Sequence, residues 1–78
     1  MPHALVKRSV VLHGHATSVA LEPAFWSALE AWATRDGESI AAAIARIDAR
    51  RKAGSLASAI RVALLTRALS ERDAALEN

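Results

Sequence analysis

Polar and apolar residues alternate ahead of Pro23, and after it the apolar residues recur at helical spacing. The alternation sets Thr17, Val19 and Leu21 against Ala16, Ser18 and Ala20. A period of two is typical of a strand, whose successive side chains point to opposite faces. We therefore predict one short strand over about residues 16–22. Because a lone strand leaves its backbone groups unpaired, we expect its partner to be a second copy of the chain.

The residues just before this strand carry a weaker strand pattern. Val10, Val11 and Leu12 could extend the strand. Gly14, however, lies between two histidines and could host a bulge or a bend. The direction in which these earlier side chains face therefore stays open.

The first helix is predicted over residues 23–36. Pro23 suits the first helical position, because the helix does not use the N–H that proline lacks. Gly37 suits the end of a helix, since glycine adopts the left-handed backbone without steric cost. The expected core stripe of this helix is Phe25, Leu29 and Trp32. Trp26 falls on another side, and we expect it to pack against a partner chain or the third helix.

Two further helices are predicted over residues 39–51 and 55–72, with fraying beyond Ser70. Ser39 and Ser55 precede them and supply the side-chain oxygens of N-caps. The expected core stripe of the second helix is Ile40, Ile44 and Ile47. That of the third helix is Leu56, Ile60, Ala63 and Leu64, widened by Leu65 and Leu69.

Composition limits how such a chain can be stabilised. With 78 residues and no cysteine, it is one domain over residues 1–78, close to the size at which a single core becomes marginal without disulfides. No apolar run approaches the roughly 20 residues of a membrane span, and no secretory signal is recognisable. We therefore expect a cytoplasmic protein without membrane association. A net charge of +2 permits an acidic partner without requiring one.

The order of strand, Pro-started helix, Gly-x-Ser turn and helix resembles the ribbon-helix-helix fold of Arc-type bacterial repressors, over about residues 16–50. The segments KRSVVLHGHATSVALEPAFWSAL and SLASAIRVALL are similar to short bacterial ribbon-helix-helix proteins that carry GHxTSxxLExxFW. The resemblance implies a mainly α fold with an extra C-terminal helix. It also implies an intertwined homodimer whose antiparallel ribbon takes one strand from each chain. The function implied is DNA binding by a small transcriptional regulator.

Few residues are candidates for contacts with duplex DNA. Lys7 and Arg8 precede the strand, and Ser39 begins a helix whose free N–H groups could hold a phosphate or simply be capped. On the strand face expected to lie in the groove, Ser18 is flanked only by Ala16 and Ala20. Alanine contacts only a thymine methyl and serine discriminates weakly between bases. We therefore expect weak sequence discrimination.

An alternative function is the binding of a small zwitterion such as an amino acid, with little or no DNA affinity. Arg61 lies in an apolar stretch of the third helix, where a buried guanidinium needs an acidic partner. A fixed salt bridge with Glu22 or Asp48 would supply that partner, and so would the carboxylate of a ligand. The residues predicted around such a ligand are His15, Thr17, Ser18, Glu22, Trp26, Asp48 and Arg61. A third alternative is an antitoxin-like protein that grips another protein.

Enzymatic chemistry is not indicated by any motif. There is no nucleophile and base at a recognisable spacing, and no phosphate-binding glycine loop. His13 and His15 are two residues apart, but no clear third metal ligand follows. Arg46, Arg50, Arg51 and Lys52 form the densest basic patch, interpreted mainly as cations that offset a helix dipole. We predict no catalytic residue, cofactor or metal.

Overall fold

A computed structural model of the chain describes residues 4–77 and contains a two-stranded ribbon followed by three helices. In chain order the elements are β1 (Val6–Leu12), β2 (His15–Leu21), α1 (Pro23–Arg35), α2 (Ile40–Arg50) and α3 (Leu56–Glu77). The strands are antiparallel. None of the helices within residues 4–77 has both the length and the apolar character of a membrane span.

β2 finds its partner in the same chain. All seven residues of β2 pair with β1, the strand Val6–Leu12 that precedes it in the chain. His13 and Gly14 join the strands with positive φ angles of 53° and 80°, as in a two-residue hairpin turn of type I′. The prediction of one strand without a partner in its own chain was therefore wrong. Association of two copies stays a prediction.

The core lies between one face of the ribbon and the three helices. Its most deeply buried large side chains are Leu21, Trp26, Leu29, Ile44 and Ile60. They come from β2 and from all three helices, so that each element contributes apolar area to one common cluster. Burial of such side chains is the dominant stabilising term for a chain of this size.

The buried face of α1 differs from the predicted stripe. Trp26, Leu29 and Ala33 are buried, whereas Phe25 and Trp32 are only half-buried. The cause is the hairpin, because Trp26 lies against β1 and its Nε1–H donates to the carbonyl oxygen of Val6 at 2.7 Å. Trp26 is therefore buried beneath the ribbon within its own chain rather than against a partner chain.

α2 and α3 each bury one face against the same core. Ser39 caps α2, its Oγ accepting the N–H of Ala42 at 3.0 Å, and the helix buries Ala43, Ile44 and Ile47. α3 continues to Glu77, beyond the predicted end, and buries Ile60 and Leu64. Leu65 and Leu69, predicted to widen its core stripe, are 58% and 41% exposed. That part of the prediction was wrong.

Asp36, directly after α1, ties the three helices together. Its carboxylate accepts two hydrogen bonds from Arg67 at 2.9 Å, one from Trp32 Nε1 at 2.6 Å and one from Arg46 at 3.3 Å. The hydrogen bonds from Arg67 are the main cause that lowers the pKa of Asp36. The Arg67 guanidinium also lies 4.5 Å from the centroid of the Trp32 ring. The end of α1 is thus fixed to α2 and α3.

Candidate nucleic-acid interface

The ribbon presents to solvent a face with three residues from each strand. They are Lys7, Ser9 and Val11 from β1, and Ala16, Ser18 and Ala20 from β2. In the register these residues lie opposite one another as Lys7–Ala20, Ser9–Ser18 and Val11–Ala16. All except the half-exposed Ala20 are exposed. A two-stranded ribbon with short outward side chains has the dimensions that a DNA major groove admits.

Polar groups lie at the centre and at one end of this ribbon face. Ser9 and Ser18 are directly opposite, so two hydroxyl groups capable of donating and accepting hydrogen bonds lie side by side. Lys7 stands at the end away from the hairpin turn, and Val11, 63% exposed, stands near the turn. The face therefore carries polar groups that could reach base edges and apolar groups that could contact thymine methyls.

Lys7 and Arg8, predicted to contact phosphates together, lie on opposite faces of β1. The Arg8 guanidinium carbon is 4.5 Å from the centroid of the Trp26 ring, and one of its nitrogens is 3.8 Å from Glu30 Oε1. The separation follows from the pleat, which turns successive side chains of a strand to opposite sides. Arg8 covers the core-side tryptophan, whereas Lys7 projects from the outward face.

Ion pairing leaves few charges without a partner. Among residues 4–77, seven of the ten Lys and Arg side chains form ion pairs with seven of the eight acids. The side chains outside these pairs are Lys7, Arg50, Lys52 and Glu77. Lys7 therefore gives the ribbon face a positive charge that no acid of the described chain offsets.

Ser39 is placed as predicted at the start of a helix. Its hydroxyl caps α2 and the side chain is exposed. A cap of this kind satisfies one of the helix's free N–H groups and leaves neighbouring ones for solvent or an anion. A phosphate contact at this position stays a prediction.

The residues predicted around a zwitterion lie in separate places. Arg61 Nε donates to Glu22 Oε1 at 2.9 Å, which is the fixed salt bridge considered as the alternative to a ligand. Asp48 instead accepts a hydrogen bond from Arg51 at 2.9 Å. Trp26 is buried beneath the ribbon.

The three remaining members of the predicted ligand set belong to β2. His15 and Thr17 lie on the core-side face of the strand, where His15 is exposed near the turn and Thr17 is half-buried. Ser18 points to the opposite face. The structure thus brings Arg61 and Glu22 together but does not gather the seven residues around one cavity. Ligand binding stays a prediction.

Three open cavities adjoin α3 within the described residues, and two of them lie between α3 and another helix. The larger, about 590 Å³, lies between α2 and α3, with Ile47 and Val62 among its apolar walls and Arg50 and Lys52 among its basic ones. The smaller, about 360 Å³, lies between α1 and α3 and is lined mainly by apolar residues such as Phe25 and Leu65. No group of three His, Asp or Glu side chains in residues 4–77 is placed to hold a metal ion.

The sequence prediction missed the contribution of β1 to the ribbon face. The sequence pattern gives Ser9 and Val11 no defined role, because Gly14 leaves open the direction in which the side chains before it face. A signal was present in VKRSVVL, which contains three β-branched valines and precedes a His-Gly pair that is followed by an alternating run. Two such runs separated by two residues, the second a glycine, are typical of a hairpin.

Comparisons with known proteins agree with this architecture. A family model described as a ribbon-helix-helix domain matches residues 5–68. A solved structure of an uncharacterized protein from Bordetella pertussis Tohama I superposes with a TM-score of 0.77 at 35% sequence identity, covering 92% of this chain. The matched region spans 62% of that protein's length. The curated proteins contain no match.

Proposed function

Because the chain belongs to the ribbon-helix-helix domain family, whose members typically bind DNA as dimeric regulators of transcription, we propose that it is a small homodimeric DNA-binding regulator. The observation that carries the proposal is the outward ribbon face, where Lys7 pairs with no acid of residues 4–77 and Ser9 lies opposite Ser18. A regulator of transcription works beside the chromosome, so the proposal includes a cytoplasmic location.

In the proposed complex the ribbon lies in the major groove with its outward face against the base edges. Lys7 contacts a phosphate or the O6 and N7 acceptors of a guanine, and Ser9 and Ser18 exchange hydrogen bonds with neighbouring bases. Val11, Ala16 and Ala20 contact thymine methyls or allow close approach.

Recognition by one ribbon of this kind is weak. A good paired contact to a base contributes about 1–3 kcal/mol of discrimination, and a serine hydroxyl, which accepts or donates indifferently, contributes less. A dimer would place two ribbons on neighbouring half-sites of the duplex. Each chain would also contact phosphates at Lys7 and at the start of α2 near Ser39, so the number of contacts to DNA would double. Binding should therefore depend strongly on salt and weakly on sequence.

The test is fluorescence anisotropy with duplexes selected from a random library, measured at several salt concentrations. We expect Lys7→Ala to weaken binding and to reduce the slope of log affinity against log salt by about 0.9 for each chain bound, because one phosphate contact is lost. Lys7→Arg should retain both the affinity and the slope.

Arg35→Ala is the matched control, since it removes one positive charge at the end of α1, where Arg35 is exposed and pairs with Glu71. It should leave the slope almost unchanged. Failure to select any duplex would overturn the proposal. Equal effects of Lys7→Ala and Arg35→Ala would show that only overall charge matters and that the ribbon does not form the interface.

A further inference from the structure

The cavity between α2 and α3 has apolar walls and is large enough for a small molecule. Its volume of about 590 Å³ lies within the range of roughly 300–1,000 Å³ that is typical of ligand sites. Ile47 of α2 lines it together with Ala59 and Ala63 of α3. Alanine is the commonest lining residue, and its short side chain leaves space between the two helices. An organic group placed there would therefore bury apolar surface.

Four cationic side chains line the same cavity, and no acidic side chain of residues 4–77 does. The four are Arg46, Arg50, Arg51 and Lys52. Arg46 already forms ion pairs with Asp36 and Glu38. Arg50 and Lys52 are exposed and lie outside the ion pairs of residues 4–77. Two positive charges at the edge of the cavity are thus available to an anion.

Arg51 holds the connection between α2 and α3 in shape. Its Nε donates to Asp48 Oδ1 at 2.9 Å, and its Nη1 donates to the carbonyl oxygen of Gly54 at 2.8 Å. Gly54 has a φ of 85°, a left-handed conformation that glycine adopts without strain. Lys52 lies within this connection, and Arg50 ends α2 directly before it. The backbone that carries both cations is therefore fixed at the cavity before anything binds.

The start of α3 adds to the positive charge beside the cavity. Ser58 and Ala59, in the first turn of α3, are lining residues. The aligned peptide dipoles of this 22-residue helix place about half a positive charge at its N-terminus. The opposite dipole at the end of α2 adjoins the same connection, but Arg50 and Arg51 offset it. The cavity thus combines apolar walls with a positive edge.

The walls offer few polar groups to the body of a ligand. Apart from the cations, Ser58 and Trp32 are the lining residues with polar side-chain atoms, and Trp32 Nε1 already donates to Asp36. A sugar or a nucleotide would therefore lose its hydrogen bonds to water without replacement. A free amino acid would bring an ammonium group close to the cations. An aliphatic chain that ends in one anionic group avoids both costs.

We propose that the α2–α3 cavity binds a medium-chain aliphatic carboxylate. Its carboxylate lies between Arg50 and Lys52, where a guanidinium and an ammonium group can donate hydrogen bonds to it. Its chain lies against Ile47, Ala59 and Ala63. This site is separate from the ion pair of Arg61 with Glu22. The inference goes beyond the proposed regulator and does not depend on DNA binding.

The first test is a titration of the full chain with octanoate, followed by the amide signals in ¹H–¹⁵N NMR spectra without DNA. We expect saturable shifts concentrated in residues 47–63. Octanoate should bind more tightly than hexanoate, by up to about fourfold for each methylene that enters the cavity. Acetate lacks the chain and octylammonium reverses the charge, so both should bind much more weakly. The absence of saturable shifts would overturn the inference, as would equal binding of octylammonium.

The second test removes the cations at the edge of the cavity. Arg50→Gln and Lys52→Gln should each weaken octanoate binding severalfold, and the double variant by about tenfold or more. Arg35→Gln is the matched control, because it removes one positive charge from an exposed side chain that does not line the cavity. Equal losses in Arg35→Gln and in the cation variants would show that only the overall charge attracts octanoate, and the inference would fail.

The third test fills the cavity. Ala59→Leu should abolish octanoate binding, because the added side chain occupies the space that the aliphatic chain needs. Ala68→Leu adds the same volume beside the α1–α3 cavity and should leave octanoate binding unchanged. Circular dichroism checks that both variants stay helical, and the exposed cations provide the test if Ala59→Leu does not fold. Undiminished binding to a folded Ala59→Leu variant would place octanoate elsewhere and overturn the inference.

Discussion

The outward faces of the ribbon and of α3 differ in a way that the chain's own core does not explain. Each element buries one face against the same apolar cluster. Outside, the ribbon carries alanine, serine, one lysine and one valine, whereas α3 carries four large aliphatic residues. Neither outward face is buried in the core of the single chain, and we therefore expect the two surfaces to have different roles.

The outward face of the ribbon suits the duplex DNA proposed as its partner. A DNA groove about 12 Å wide admits a ribbon when the outward side chains are short and the charge is positive. A helix pair instead requires bulky side chains that interlock and flanking charges that complement each other. Within residues 4–77, Lys7 on the ribbon and Glu77 at the end of α3 lie outside the ion pairs. We therefore expect each surface to respond to its own set of substitutions.

The largest effect is expected where the ribbon is held to the helices. Trp26→Ala should lower the free energy of unfolding by about 3–5 kcal/mol, because it removes a large buried side chain and the hydrogen bond to the Val6 carbonyl. Trp32→Ala should cost less, since that ring is half-buried. Urea unfolding at one fixed protein concentration measures both. A larger loss for Trp32→Ala would contradict the packing described for α1.

The two tryptophans also show what the sequence could predict. The helical period identified α1, and the ends of α1 and α2 lie within about a residue of the predicted positions. Period alone could not decide which side of α1 the ribbon would cover, because that depends on a strand that had not been recognised. Trp32 was consequently assigned the place that Trp26 occupies.

The candidate surfaces were predictable to a similar degree. Alternation correctly separated the two faces of β2, because that pattern reflects the pleat of a single strand. The opposite position of Ser9 depends on pairing register, which the turn at Gly14 sets. Leu65 and Leu69 were assigned to the core because an apolar stripe has the same appearance whether it faces the chain's own core or another molecule.

A smaller effect is expected at the hairpin turn, where it should separate the two surfaces. Gly14 has a φ of 80°, and an added Cβ would meet no atom within 4 Å. Gly14→Ala should therefore destabilise the fold only through backbone strain, by about 1–2 kcal/mol. Gly14→Asn should cost less, since asparagine tolerates this conformation.

Hydrogen exchange should localise the effect of the Gly14 substitutions. We expect Gly14→Ala to accelerate exchange of the β1 and β2 amides, while the dimer dissociation constant stays close to that of the wild type. An equal loss of dimer would show that the ribbon takes part in association and that the two surfaces are not independent.

Acid should loosen the attachment of α3 to α1 through Asp36. Because hydrogen bonds from Arg67 lower the pKa of Asp36 in the folded state, the stabilisation is present above the unfolded-state pKa and is lost as pH falls through the folded-state pKa. In Asp36→Asn the dependence of stability on pH below about pH 4 should be shallower. Thermal unfolding followed from pH 6 to about pH 2 tests this. An unchanged pH profile would mean that Asp36 is not a significant source of acid sensitivity.

The smallest effect is expected at the ion pair that joins the two regions, between Glu22 after β2 and Arg61 on α3. Both side chains are about one-third exposed, so Arg61→Gln should change stability by only about 0.2–1 kcal/mol. Since the Arg61 guanidinium already donates to a protein carboxylate, free amino acids at millimolar concentration should not raise the melting temperature selectively. A selective rise that disappears in Arg61→Gln would instead show that a ligand carboxylate displaces Glu22. The region between the ribbon and α3 would then be a ligand site.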